Sequence, residues 1–100
     1  MNLDEVGRYA ESLAGVKRKG TEARPAWYVD DRLVVRLQDA STVVIRVPLS
    51  RREALLEEYP DGFGVPPRME RHHKVEAYLD QADPAAIRRA IDLAWEMQRR

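Results

Sequence analysis

The chain has 100 residues, enough for one domain with its own core, and its 44% hydrophobic and 34% charged content is that of a charge-rich globular protein. It has no cysteine, which excludes disulfides, thiol nucleophiles and Cys-ligated zinc, and no apolar run nears the roughly 18 residues of a membrane span. Lys plus Arg and Asp plus Glu number 17 each. The global basic excess that phosphate neutralisation demands is therefore missing, and any nucleic-acid contact must come from a local patch.

The N-terminal residues are acidic and amphipathic, unlike a secretory leader, so the expected compartment is the cytoplasm. Asn2 with Glu5 forms a capping-box pattern, and Leu3, Val6, Ala10 and Leu13 recur at helical spacing beside Tyr9. This predicts a helix over 3–14 that stops at Gly15. Residues 16–25 hold Lys17, Arg18, Lys19 and Arg24 with Gly20 and Pro25 and show no periodicity, which reads as a loop. Residues 26–29 read as a short strand, and Asp30-Asp31 as a turn.

The stretch from Arg32 to Val47 organises the rest. It reads as a hairpin of two strands rich in β-branched residues around a turn at Gln38-Asp39-Ala40-Ser41. Alternation places Leu33, Val35, Leu37, Val43, Ile45 and Val47 on a core face. It places Arg32, Val34, Arg36, Val44 and Arg46 on the reverse. For both strands to bury the same face, paired residue numbers must have an even sum, so the loop has an odd number of residues, three or five. The absence of a suitably placed Gly favours five.

Pro48 ends that strand. Ser50 with Glu53 reads as a second capping box, opening a helix with Ala54, Leu55, Leu56 and Tyr59 inward, stopped by Pro60-Asp61-Gly62. Phe63 to Val65 is a brief extended segment that Pro66-Pro67 keeps from being a central strand. Near His73 alternation returns, with Val75, Ala77 and Leu79 inward and Lys74, Glu76 and Tyr78 outward. Asp83-Pro84 starts a last helix with an apolar stripe of Ile87, Ala90, Ile91, Ala94 and Trp95, extended by Met97. The order is helix, three strands, helix, two strands, helix. It implies an α+β fold, a two-layer α-β(3)-α-β(2)-α arrangement with an antiparallel sheet whose second face stays wet.

Several segments fall in the order seen in a known family: Arg24-Pro25-Ala26-Trp27, the helix with Arg52-Glu53-Ala54-Leu55-Leu56, Phe63-Gly64-Val65-Pro66-Pro67, Leu79-Asp80, and Ala82-Asp83-Pro84 through Trp95. Over nearly its whole length the chain resembles the MmcQ/YjbR family of small bacterial proteins. The resemblance implies a fold similar to type III secretion chaperones and a loosely defined DNA-binding role, with no catalytic residues to carry over. Members often place a Gly and an aromatic, commonly Trp, just ahead of the strand that begins near residue 73; here those places hold His73 and Lys74.

Two binding readings follow. The first is nucleic acid, held by two basic loops: Lys17, Arg18, Lys19 and Arg24 in one, Arg68, Arg71 and Lys74 with His72 and His73 in the other. The second is a protein partner or a second copy on the reverse face of the sheet. Val34, Arg36, Val44, Arg46 and Tyr78 would form that interface, joined by whichever of Trp27 and Tyr28 points outward. A recognition helix is absent, because Arg88 and Arg89 are offset by Asp92 and Glu96. His72-His73 point to opposite sides of an extended chain and have no third ligand, so no metal is expected. Ser12, Ser41 and Ser50 sit in no nucleophile context, and Gly62-Phe63-Gly64 lacks the following helix of a phosphate cradle. The sequence therefore predicts a non-enzymatic domain without a cofactor.

Overall fold

In the computed structural model, which describes residues 1–100, the first helix starts where its capping box requires. α1 (Leu3–Ser12) has the Asn2 side chain accepting from the Glu5 N–H at 2.9 Å and the Glu5 carboxylate accepting from the Asn2 N–H at 3.1 Å. It ends sooner than its spacing predicts, because Leu13 is already extended and Gly15 makes the turn at φ +76°. The residues read as a loop then differ from expectation. Lys17–Gly20 form an edge strand, β1, paired antiparallel to β2 (Pro25–Val29) from Lys17↔Tyr28 to Gly20↔Pro25. All four β1 residues are exposed. A strand that buries neither face shows no alternation, and its charged side chains discourage pairing with another edge.

Asp30 and Asp31, at φ 50° and 63°, make the tight turn into β3 (Arg32–Asp39). β3 pairs with β4 (Thr42–Ile45) through Val35↔Ile45, Arg36↔Val44 and Leu37↔Val43, all even sums. Five residues do separate Leu37 from Val43, but they are not one open loop. Gln38 is bulged, Asp39 pairs with Thr42, and the turn proper is Ala40-Ser41.

A second bulge in β3 overturns part of the face assignment. Trp27 pairs with Val35 but Tyr28 with Leu33, so Val34 is the extra residue. Val34 then joins Val35 in the core with no exposed surface, whereas Leu33 lies outside the core, half-buried. The freed Leu33 carbonyl is satisfied by the Gln98 amide, which donates to it at 2.8 Å.

α2 (Leu49–Glu58) begins at Pro48, which leaves Ser50 inside the first turn, and the Ser50/Glu53 capping box does not form. Instead the Leu49 N–H donates to His73 Nδ1 at 3.0 Å. Leu55 is buried with Leu56 and Tyr59 beside it, and Ala54 is exposed. β5 (Phe63–Gly64) and β6 (Val75–Tyr78) follow, with Val75 and Ala77 inward as the alternation requires. In α3 (Pro84–Gln98) the Asp83 side chain accepts from the Ala85 N–H at 2.9 Å. The α3 stripe is completed by Leu93 and Trp95 rather than by Met97.

The six strands form one antiparallel sheet in the order β1-β2-β3-β4-β6-β5. The core draws buried residues from all three helices onto the Trp27, Val35, Ile45 and Val75 face. Each fully buried Ile or Val there contributes about 1.5–3 kcal/mol. No helix covers the other face, and none is long and apolar enough to cross a membrane.

Candidate functional site

Residues directly opposite one another in an antiparallel pair share a face. One row on the helix-free face therefore runs Lys19–Ala26–Arg36–Val44–Glu76–Gly64, across all six strands. Beside it runs a second row with Lys17, Tyr28 and Leu33 at one side. One step beyond the Ile45↔Val75 pair, Arg46 and Lys74 stand abreast at the other side. Tyr78 and Thr42 pair on the same face towards the Ala40-Ser41 turn. Five cations, from the β1 edge across the sheet to β6, thus share one surface. The acids on it are Glu76 in the row and Asp39 at the turn, with Asp31 at the rim.

Those acids are mostly occupied elsewhere. Asp31 pairs with Lys19 at 2.7 Å, which holds its carboxyl below the usual range. Asp39 accepts from the Ser41 N–H at 3.1 Å. Glu76 lies beside the Tyr78 hydroxyl, whose pKa is raised by burial first and by that carboxylate second. The two ion pairs of the molecule are Lys19–Asp31 and Arg52–Glu53, so Arg36, Arg46 and Lys74 have no carboxylate within 4.0 Å. The Arg36 guanidinium donates to Gln38 at 2.6 Å. The Arg46 Nε–H is buried with no acceptor. Burial, then the charges of Arg36 and Arg46, push the Lys74 ammonium below its usual range.

The two basic loops do not meet. β1 and β6 are four strand spacings apart, about 19 Å. Of the first cluster, Lys17 and Lys19 lie on the helix-free face, and the Lys19 ammonium stands 5.5 Å from the Tyr28 ring centre. Arg18 lies on the helix side, 5.8 Å from the Trp27 ring centre, and Arg24 is exposed in the β1–β2 turn. In the second cluster Arg68, Arg71 and His72 are exposed and His73 caps α2, which leaves Lys74 on the face. Arg52, which the sequence did not single out, fixes this loop. Only 4% exposed, it donates to the carbonyls of Met69, Glu70 and His72 at 3.2, 2.7 and 3.0 Å. Its targets are remote in sequence, so no local pattern marks it.

The partner-interface residues divide as well. Val34 belongs to the core because of the bulge, and Val44 is wholly covered by its neighbours. Arg36, Arg46 and Tyr78 are half-buried on the face, Tyr28 points outward, and Trp27 is in the core. No large apolar side chain is exposed anywhere, so a hydrophobic seam for a second copy is lacking. A cleft of about 300 Å³ between α1 and β1–β2 mixes Asp4, Arg8, Glu11 and Arg18 over the Trp27 edge. No three His, Asp or Glu side chains are placed to share a metal ion.

No family model matches the chain, and no curated protein matches it. Among solved structures, the crystal structure of the Deinococcus radiodurans protein DR2400, with a DUF419 family-model domain, is similar over 96% of this chain and 77% of that one. Its TM-score is 0.78 at 16% sequence identity. At that identity the likeness establishes the fold alone, a small two-layer α+β domain with an antiparallel sheet.

Proposed function

We propose that the chain is an MmcQ/YjbR-like domain with a binding rather than a catalytic role, and that its helix-free sheet face holds nucleic acid by the backbone. The observation that carries this reading is the run of Lys17, Lys19, Arg36, Arg46 and Lys74 across a face that no helix covers. The half-exposed Tyr28 and Tyr78 stand among them. A flat face has no helix or ribbon to enter a duplex groove, whereas cations around aromatic rings suit a single strand whose bases can stack. Backbone contacts carry little sequence information, so the binding is tolerant of sequence.

The test is fluorescence anisotropy with a labelled oligothymidine and a matched duplex over a range of salt. The expected outcome is single-strand binding with a log–log salt slope of about −2 to −3.5, as three to five phosphate contacts give. Arg36→Ala with Arg46→Ala should weaken it for every sequence tried, and Arg68→Ala with Arg71→Ala, off the face, much less. No binding at low salt removes the proposal.

A further inference from the structure

We infer that Arg36, Arg46 and Lys74 form a seat for a single phosphoryl group above Val44. This deepens the reading given under Proposed function and is narrower than it: one defined anion site rather than a diffuse basic surface. Arg36 is the cross-strand partner of Val44, Arg46 lies two residues beyond Val44 on the same face, and Lys74 stands abreast of Arg46. Three cations thus share one face of three adjacent strands, near enough for Lys74 to feel both guanidinium charges, with no carboxylate within 4.0 Å. One N–H group of Arg36 is taken by Gln38 at 2.6 Å.

The second observation is the Arg46 Nε–H. It is buried and has no acceptor in the chain. A buried donor left unpaired costs about 1–3 kcal/mol, and nearly all such groups in folded proteins find a partner. Three like charges drawn together and one orphaned donor among them are together the complement of an anion that comes from outside. Two guanidinium groups present N–H donors in planes and the ammonium adds a mobile point charge, a set that suits the several oxygens of a phosphoryl group. Glu76, across the strand from Val44 on the side away from Arg36, lies by the Tyr78 hydroxyl. Arg52 positions the seat without touching it, by holding the chain just ahead of Lys74.

The same chemistry is offered by free phosphate, by a 5′-terminal phosphate and by an internal phosphodiester, and one experiment separates them. The Arg Nε–H resonances of the full chain are followed by NMR at constant ionic strength during titration with inorganic phosphate. Oligothymidines with and without a 5′-phosphate are titrated in the same way. A saturable shift of the Arg46 and Arg36 Nε–H signals with phosphate, absent with chloride, is the expected result. Arg46→Lys, which keeps the charge but loses the planar donors, should weaken it about tenfold or more, and Arg89→Gln, exposed on α3, should leave it unchanged. Preference for the 5′-phosphorylated strand assigns the seat to a chain end, and equal shifts with both strands assign it to the phosphodiester backbone. Arg46 Nε–H signals that do not respond to phosphate in the wild-type protein, or respond equally to chloride, overturn the seat. If oligothymidine still binds in that case, the broader nucleic-acid reading survives it. If phosphate binds at Arg46 while no oligonucleotide does, the seat stands and the nucleic-acid reading falls.

Discussion

Individual side chains hold this fold together where regular structure leaves groups unsatisfied. The Gln98 amide is the clearest case, since it reaches from α3 to the Leu33 carbonyl that the bulge releases from the ladder. Gln98→Leu should cost about 1–3 kcal/mol in urea denaturation, because the partly buried carbonyl is left without its donor. Gly7 is a different case. A Cβ there would lie 2.6 Å from the Trp27 ring, and that ring is 2% exposed and anchored by its N–H to Glu11 at 3.1 Å. Gly7→Ala gains about 1 kcal/mol in helix propensity but forces α1 off the sheet, at about 1–3 kcal/mol, so a net loss of stability is expected. Tyr9 ties α1 to α3 through its hydroxyl, which donates to Asp92 at 2.6 Å. Burial first, then Asp92, push its pKa up from 10.0 to about 12. A raised value means that the folded state keeps the proton longer than the unfolded chain. The contribution is complete below pH 10 and is lost as pH rises towards 12. Urea midpoints should therefore fall less steeply over that interval for Tyr9→Phe than for the wild type.

At the level of elements, the β5–β6 connection is held from outside itself. Arg52 of α2 donates to three of its carbonyls, and His73 returns a bond to the Leu49 N–H at the start of α2. Helix and loop therefore fix each other, and Lys74 takes its place on the sheet face as a result. Arg52→Met should cost about 2–3 kcal/mol. It should also speed amide hydrogen exchange at 69–74 well beyond the change in the α3 core, since the loop has few other anchors. The edge strand β1 is the opposite kind of element, with neither face buried and four backbone partners in β2. Its two Lys residues carry charge to the helix-free face, and with Arg18 they protect the free edge.

For the whole molecule, a net charge of zero conceals a division. The helices carry Asp4, Glu5, Glu11, Glu53, Glu57, Glu58, Asp92 and Glu96 against Arg8, Arg51, Arg52, Arg88 and Arg89. The helix-free face carries five cations against Glu76 and Asp39. A two-layer fold separates the two sets because the helices occupy one side of the sheet only. Long-range steering of a polyanion would then depend on the face presented and fall with ionic strength. With no large apolar side chain exposed, light scattering should give a monomer, and a stable dimer mass at low concentration would contradict this.

Local chemistry in the sequence determined the elements that depend on near neighbours. The Asn2/Glu5 box, the Asp83-Pro84 helix start, the even register of β3 with β4 and the alternation of β6 all involve residues a few positions apart. The tertiary structure decided what rests on distant partners. Pairing of β3 with β2 placed the bulge at Val34, which exchanged the faces of Val34 and Leu33; a period-two reading of one strand contains no such information. The pairing of Lys17–Gly20 depends on β2 alone, and a fully exposed strand leaves no hydrophobic trace. The two basic loops, similar on paper, were set at opposite sides of the sheet. Arg36, Arg46 and Lys74, read as parts of separate surfaces, were brought together because β3, β4 and β6 are neighbours in space though not in sequence.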